Sequence, residues 1–249
     1  PATSEDVQRI KELVIPPAWQ DVWISPDERG HIQAIGVDDA GRKQYLYHPE
    51  WRTRQDRAKF EHAVEVAERL PEVREKIDAA LAGRGLSRQR VLAAIVRLLD
   101  MGMFRVGGED SAARDEDPSF GLSTLRPDHL RGKGGCVLLE FTGKSGVEHA
   151  VEIADVSLDE VLEKLRRRRG GSERLLVWRD GRRWRELGAA DVNEYLGRIA
   201  GVEMTAKDFR TWHATVLAAT ALALSEEEGG TEASRKRAVR AAIAEVSRY

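Results

Sequence analysis

Residues 136–153 read CVLLEFTGKSGVEHAVEI, two β-type runs around Thr142-Gly143-Lys144-Ser145-Gly146. Glycine and serine supply the backbone angles of a tight reversal, so the stretch predicts a hairpin with Lys144 at its tip. Upstream the texture is helical. From about Arg57, residues Phe60, Val64, Ala67 and Leu70 share one face before Pro71, followed by Val73, Ile77, Ala80 and Leu81. Ser87 is placed to cap a helix whose apolar positions Val91, Ala94, Ile95, Leu98 and Leu99 run on to Met101 and Met103, with Gly107 and Gly108 as its end. Downstream, LLVWRDGRRW repeats the hairpin pattern, and DVNEYLGRI is amphipathic through Val192, Tyr195, Leu196 and Ile199. Thr205 with Asp208 is a capping-box-like start for a long apolar helix through Val216, Leu217 and Leu224. A last helix is expected from Ser234, carrying Val239, Ala242, Ile243 and Val246.

The first 59 residues differ from all of this. VWISP, HIQAIGVD and QYLYH alternate as short strands, with DDAGRK as a turn between the last two. The expected class is therefore α+β: a small β-rich domain over 1–59, then a mainly α-helical domain with a β-hairpin over 60–249.

Composition narrows the functional classes. A chain of 249 residues with 41% hydrophobic and 33% charged residues buries a real core and is heavily solvated. One cysteine, Cys136, excludes an intrachain disulfide or a multi-cysteine metal site and fits a reducing, cytoplasmic compartment. No apolar run approaches the roughly 20 residues of a membrane span, and the polar start PATSEDVQRIKELV is unlike a secretory signal. Pro1 in place of Met suggests trimming. The net charge of −2 conceals uneven blocks. Between Glu163 and Arg185 ten cations face three anions, and Arg235, Lys236, Arg237 and Arg240 form a second basic cluster. Such a block suits a polyanion, or is simply a solvated helix end and hairpin. Acidic residues gather at Glu109 to Asp117 and Glu226 to Glu228.

Three cations stand where packing does not ask for charge: Arg105 after the apolar helix, Lys144 at the hairpin tip, and Arg210 just inside the helix that follows Thr205. Each is suited to a phosphate. Read singly, each also has an ordinary explanation as a helix-end partner, an exposed turn residue or a first-turn salt bridge. The histidines His31, His48, His129, His149 and His213 lack metal-ligand spacing, and Gly107-Gly108 is too short for a nucleotide loop. Trp19, Trp23 and Trp51 read as core, and His62 as a helix-surface residue.

In order and with their neighbours, these segments carry a resemblance. MFRVGGE, FGLSTLRPDHL, FTGKSGVEH and KDFRTWHAT together resemble the catalytic domain of type IB DNA topoisomerases of the bacterial and poxvirus kind. IPPAWQDVWISP and GHIQAIGVDDAGRKQYLYHPEW resemble that family's small amino-terminal DNA-clamping domain. The resemblance implies a monomeric, cytoplasmic enzyme of the nucleoid that relaxes supercoiled duplex DNA through a 3′-phosphotyrosyl intermediate, without ATP, metal or other cofactor, its two domains forming a C-shaped clamp. It implies Arg105 and Arg210 as the two catalytic arginines, Lys144 as the hairpin lysine, Lys207 as a further lysine near the phosphate, and Gln44, Tyr45 and Tyr47 as residues that meet DNA. It also implies that the family's histidine or asparagine and its nucleophilic tyrosine belong to a segment after Tyr249, so that Tyr249 is not the nucleophile. Tyrosine recombinases share the catalytic core but lack that amino-terminal domain and usually have histidine where this chain has Lys207. They are the alternative enzyme, and a DNA-binding module without catalysis is the alternative from another class.

Overall fold

The computed structural model describes residues 3–108, 112–113, 118–132, 134–225 and 231–246. The acidic residues noted from Glu109 to Asp117 all lie outside these, as do Glu226 to Glu228 and Tyr249. The chain divides into two compact units, Pro1–His62 and Ala63–Tyr249.

The first unit opens with α1 (Ser4–Glu12), started by a reciprocal capping box between Thr3 and Asp6. Three strands follow, β1 (Gln20–Ile24), β2 (Ile32–Val37) and β3 (Lys43–Tyr47), in an antiparallel meander. In the β2–β3 turn the Asp38 carboxylate accepts from the Ala40 and Arg42 amides, which fixes the register. Trp19 packs on Gly36, where any β-carbon would strike its ring. Trp23, expected in the core, is 50% exposed, because this sheet is too small to bury both faces of an edge strand.

Helix α2 (Pro49–Leu81) begins in the first unit, earlier than the expected start near Arg57, and continues through Pro71 without a break. Its buried stripe is Ala63, Val66, Leu70, Val73, Ile77 and Leu81. Phe60 and Val64, assigned to the inner face from the sequence, are each 57% exposed, since the three-and-four spacing that fills the core starts at Ala63.

In the second unit α3 (Arg88–Gly102), capped by Ser87, is the central element. Val91 to Val96 are buried all round it, as are Leu98 and Leu99, and it packs against α4 (Val156–Arg166), α5 (Ala189–Ala200) and α6 (Ala206–Ser225). It stops at Gly102, ahead of the expected glycine pair, because Met103 takes a left-handed conformation at φ 52°. Strands β4 (Leu130–Gly132), β5 (Cys136–Thr142) and β6 (Glu148–Ala154) form one antiparallel sheet, and β7 (Val177–Asp180) pairs with β8 (Arg183–Glu186). Helix α7 (Glu232–Val246) starts two residues before the expected Ser234 and packs on α6. The apolar character assigned to these last two helices is only partly used in burial. Ala206 and Phe209 are buried, whereas Leu224 is 77% exposed and Ala242 is the buried residue of α7. Among the described residues no helix is long and apolar enough to cross a membrane.

Candidate active site

Arg105 sits in the segment that leaves α3, and its backbone is pinned on both sides. Phe104 is buried beneath it, and the Arg105 carbonyl accepts from the Leu122 amide at 3.0 Å. Ser123 adds two bonds to the Val106 carbonyl, one from its amide and one from its hydroxyl. Gly107 and Gly121 meet so closely that a β-carbon on Gly121 would overlap the Gly107 backbone. The segment FGLSTLRPDHL thus braces the one that carries Arg105. Its Phe120 amide in turn donates to Thr142 at the end of β5, linking the brace to the hairpin.

Lys144 lies in the reversal between β5 and β6, whose register runs from Cys136↔Ala154 to Thr142↔Glu148. The turn is a single 3-10 turn closed by the Gly143 amide donating to the Val147 carbonyl at 2.7 Å, with Ser145 at φ 65°. Lys144 itself is exposed. Arg210 is half-buried on the second turn of α6, and Lys207 is exposed one turn earlier. The start of that helix is held by the Asp208 carboxylate, which accepts from the Thr205 amide at 2.8 Å and hydroxyl at 2.9 Å, and by Asn193, which accepts from the Ala206 amide.

Among the described residues none of these four cationic side chains has a hydrogen-bond or ion-pair partner. Arg105 and Arg210 are close enough to feel each other. Burial lowers the Arg210 pKa and the Arg105 charge lowers it further. His149 shares their surroundings, its pKa lowered first by burial and then by both guanidiniums. Two cations held together without a carboxylate make a receptor for an anion. The cavity beside Arg210, lined by Met103, Ala214, Leu217 and Val246, measures about 70 Å³. That is far below the roughly 300–1,000 Å³ of small-molecule pockets.

Sequence reasoning missed the support beneath Arg210. Asp100, buried near the end of α3, accepts a forked pair of bonds from Arg74 at 2.8 and 2.9 Å and faces His213 Nε2 at 3.3 Å, one turn beyond Arg210. Burial pushes the carboxyl up, but the bonds from Arg74 and His213 and their charges outweigh it and bring its pKa from 3.8 to about 2. A depressed carboxylate stabilises the fold fully above its unfolded pKa, and that contribution is lost as pH falls through about 2. Asp100→Asn is expected to cost roughly 2 kcal/mol at neutral pH and to remove this part of the acid sensitivity, read from urea unfolding between pH 7 and 2. A variant whose stability parallels the parent across that range would show that the carboxylate is not what Arg74 and His213 hold.

Five of the ten cations in the basic block from Glu163 to Arg185 pair with carboxylates, two of which, Glu160 and Glu186, flank the block. Arg166 and Arg167 pair with Glu163, Lys164 with Glu160, Arg174 with Glu186 and Arg185 with Asp180. The Arg168 guanidinium donates to the carbonyls of Leu165, Ser172, Arg174 and Leu175, tying the end of α4 to the following loop. Much of the block is therefore scaffold, a partnering that linear charge counting does not register.

In the first unit Tyr45 and Tyr47 stack at 6.1 Å and Tyr47 stacks on Trp51 at 4.3 Å, an aromatic row on one face of β3. Gln44 points the other way, its amide donating to Asp38 at 2.8 Å. Among the described residues no group of three or more His, Cys, Asp or Glu side chains is arranged to hold a metal ion.

Comparison with known proteins gives a consistent picture. Residues 48–249 match the family described as eukaryotic DNA topoisomerase I, catalytic core, and residues 2–38 match the bacterial DNA topoisomerase IB, N-terminal domain. DNA topoisomerase 1B of Acanthamoeba polyphaga mimivirus is 31% identical over 246 residues, covering 94% of this chain and 70% of the viral protein. Among solved structures, the XerH site-specific recombinase bound to difH in a pre-cleavage complex aligns with a TM-score of 0.42 at 19% identity over 69% of this chain and 48% of the recombinase. Its post-cleavage complex on palindromic difH aligns at 0.41 and 16% identity over 73% and 49%. The chain spans about half the length of these recombinase chains.

Proposed function

We propose, from the premise that this chain belongs to the type IB DNA topoisomerases, that it relaxes supercoiled duplex DNA by nicking and resealing one strand, with Arg105, Lys144, Lys207 and Arg210 serving the reacting phosphate. The observation that carries the assignment of residues is the pair Arg105 and Arg210: two guanidiniums within electrostatic reach, one half-buried, with no carboxylate partner among the described residues. When a tyrosine oxygen attacks the phosphorus, negative charge builds on the nonbridging oxygens, and forked donors already in place bind it best. The bond to the 5′ oxygen breaks, and that oxygen needs a proton. Lys144, exposed on its turn, donates it as the general acid. The product is a 3′-phosphotyrosyl ester, which conserves the energy of the broken bond. Resealing reverses each step: the 5′ oxygen attacks, Lys144 takes the proton back and the tyrosine leaves, with no nucleotide consumed.

Lys207, one turn before Arg210, adds charge at the same phosphate. The aromatic row of Tyr45, Tyr47 and Trp51 supplies a DNA-facing surface in the first unit. We assign the nucleophile to none of Tyr45, Tyr47 and Tyr195, since the first two stack within the first unit and Tyr195 is buried. The enzyme works in this reading as a cytoplasmic monomer on the nucleoid. The full-length enzyme is expected to relax both positive and negative supercoils in a chelator and without ATP. Loss of relaxation in chelator with rescue by magnesium would overturn the reading.

A further inference from the structure

We propose that His149 is a positioning residue that locks the Lys144 turn onto the Arg105 segment. The inference rests on the reading of Lys144 as the general acid. His149 lies on β6 directly across from Phe141 on β5. Its ring stacks on Phe141 at 4.9 Å and an interplanar angle of 26°, and meets the edge of Phe104 at 6.2 Å. Phe104 is the residue before Arg105. On its other side the ring lies against Gly143, the residue before Lys144, so closely that a β-carbon there would sit 2.5 Å from His149 Nε2. One imidazole therefore touches the neighbour of the acid and the neighbour of the first arginine.

The chemistry of the ring suits this place. Burial and the nearby Arg105 and Arg210 charges lower its pKa and favour the neutral ring, which suits packing as an aromatic beside the two cations. Phe104 and Phe141 are themselves buried and fixed in the core, so the turn is referenced to rigid structure through the ring. Among the described residues the Lys144 side chain has no hydrogen-bond or ion-pair partner that could hold it otherwise. Positioning of an exposed acid then depends on how its turn is seated, and a displacement of about 1 Å in such a group costs on the order of 10²-fold in rate.

The experiment compares His149→Ala, Gly143→Ala, His149→Phe and Lys144→Ala in the full-length enzyme on two single-turnover cleavage substrates. One carries the ordinary 5′ oxygen at the scissile bond and the other a 5′ sulfur, which leaves as a thiolate and needs little acid assistance. On the oxygen substrate His149→Ala and Gly143→Ala should each slow cleavage by about 10–10²-fold. On the sulfur substrate both should recover alongside Lys144→Ala, and His149→Phe, which keeps a ring of similar shape, should stay close to the parent on both. A purely structural defect would slow both substrates alike. Rescue of Lys144→Ala without rescue of His149→Ala and Gly143→Ala overturns the role of His149 and leaves Lys144 as the acid. Failure to rescue Lys144→Ala overturns the acid assignment and the inference with it. If His149→Ala loses its cooperative thermal transition, Gly143→Ala decides: normal cleavage of the oxygen substrate by that variant refutes the seating of the turn.

Discussion

Replacing either Arg105 or Arg210 by alanine is expected to slow single-turnover DNA cleavage by roughly 10²–10³, the loss that follows removal of one preorganised donor to a developing oxyanion. The two side chains reach the site from unrelated elements, the loop leaving α3 and the second turn of α6. Each is held in advance, Arg105 by the brace at Leu122 and Ser123 and Arg210 by a capped helix tied to the core through His213 and Asp100. Burial and the neighbouring Arg105 charge both disfavour the charged form of Arg210 and lower its pKa. An incoming phosphate relieves both, and the pentacovalent transition state, with more charge on the nonbridging oxygens, relieves more. Affinity for duplex DNA should therefore fall much less than the cleavage rate. Equal losses in affinity and rate would make the two arginines ordinary backbone contacts.

Lys144→Ala should slow cleavage of ordinary DNA by about 10²–10⁴, the range of general-acid assistance. The defect should nearly vanish when the leaving 5′ oxygen is replaced by sulfur, because a thiolate departs without a proton. Arg105→Ala provides the contrast. In the proposed mechanism it serves the nonbridging oxygens, which are the same in both substrates, so its defect should persist on sulfur. Rescue of both variants, or of neither, removes the distinction between acid and oxyanion donor on which the assignment depends. Lys144 is well suited to the test, since it is exposed and unpaired among the described residues, so its truncation should leave stability nearly unchanged.

Local chemistry made parts of this molecule legible. The Gly-Lys-Ser-Gly reversal, the Ser87 cap, the hold of Asp208 on Thr205 at the start of α6 and the buried stripe of α5 all follow from interactions between residues a few positions apart, and the structure has each of them. The family resemblance supplied Arg105, Lys144, Lys207 and Arg210 as a set, which no spacing in the chain could have done. What stayed hidden depends on partners far away in sequence. Asp100 looks like a charged residue ending an apolar helix until Arg74 and His213 are brought to it. Arg168 looks like one more cation in a basic run until four carbonyls surround it. His149 was weighed as a metal ligand and set aside, and only the β5–β6 register, which puts it across from Phe141, discloses its packing. The face of α2 was misread because Phe60 and Val64 are apolar yet exposed.

The turn at residues 143–146 also bears on how such a protein can drift over evolutionary time. Its frame tolerates little change: Gly143 has an imidazole against it, Ser145 sits at φ 65° and Gly146 at φ 73°. The lysine in the middle of that frame is exposed, so in the proposed mechanism the chemistry, more than the fold, calls for a lysine there. A lineage that kept DNA binding but abandoned cleavage would preserve the two glycines and let position 144 wander, whereas an active lineage would hold all three. In this part of the chain, the exposed lysine is the most direct record of whether the cleavage chemistry has been kept.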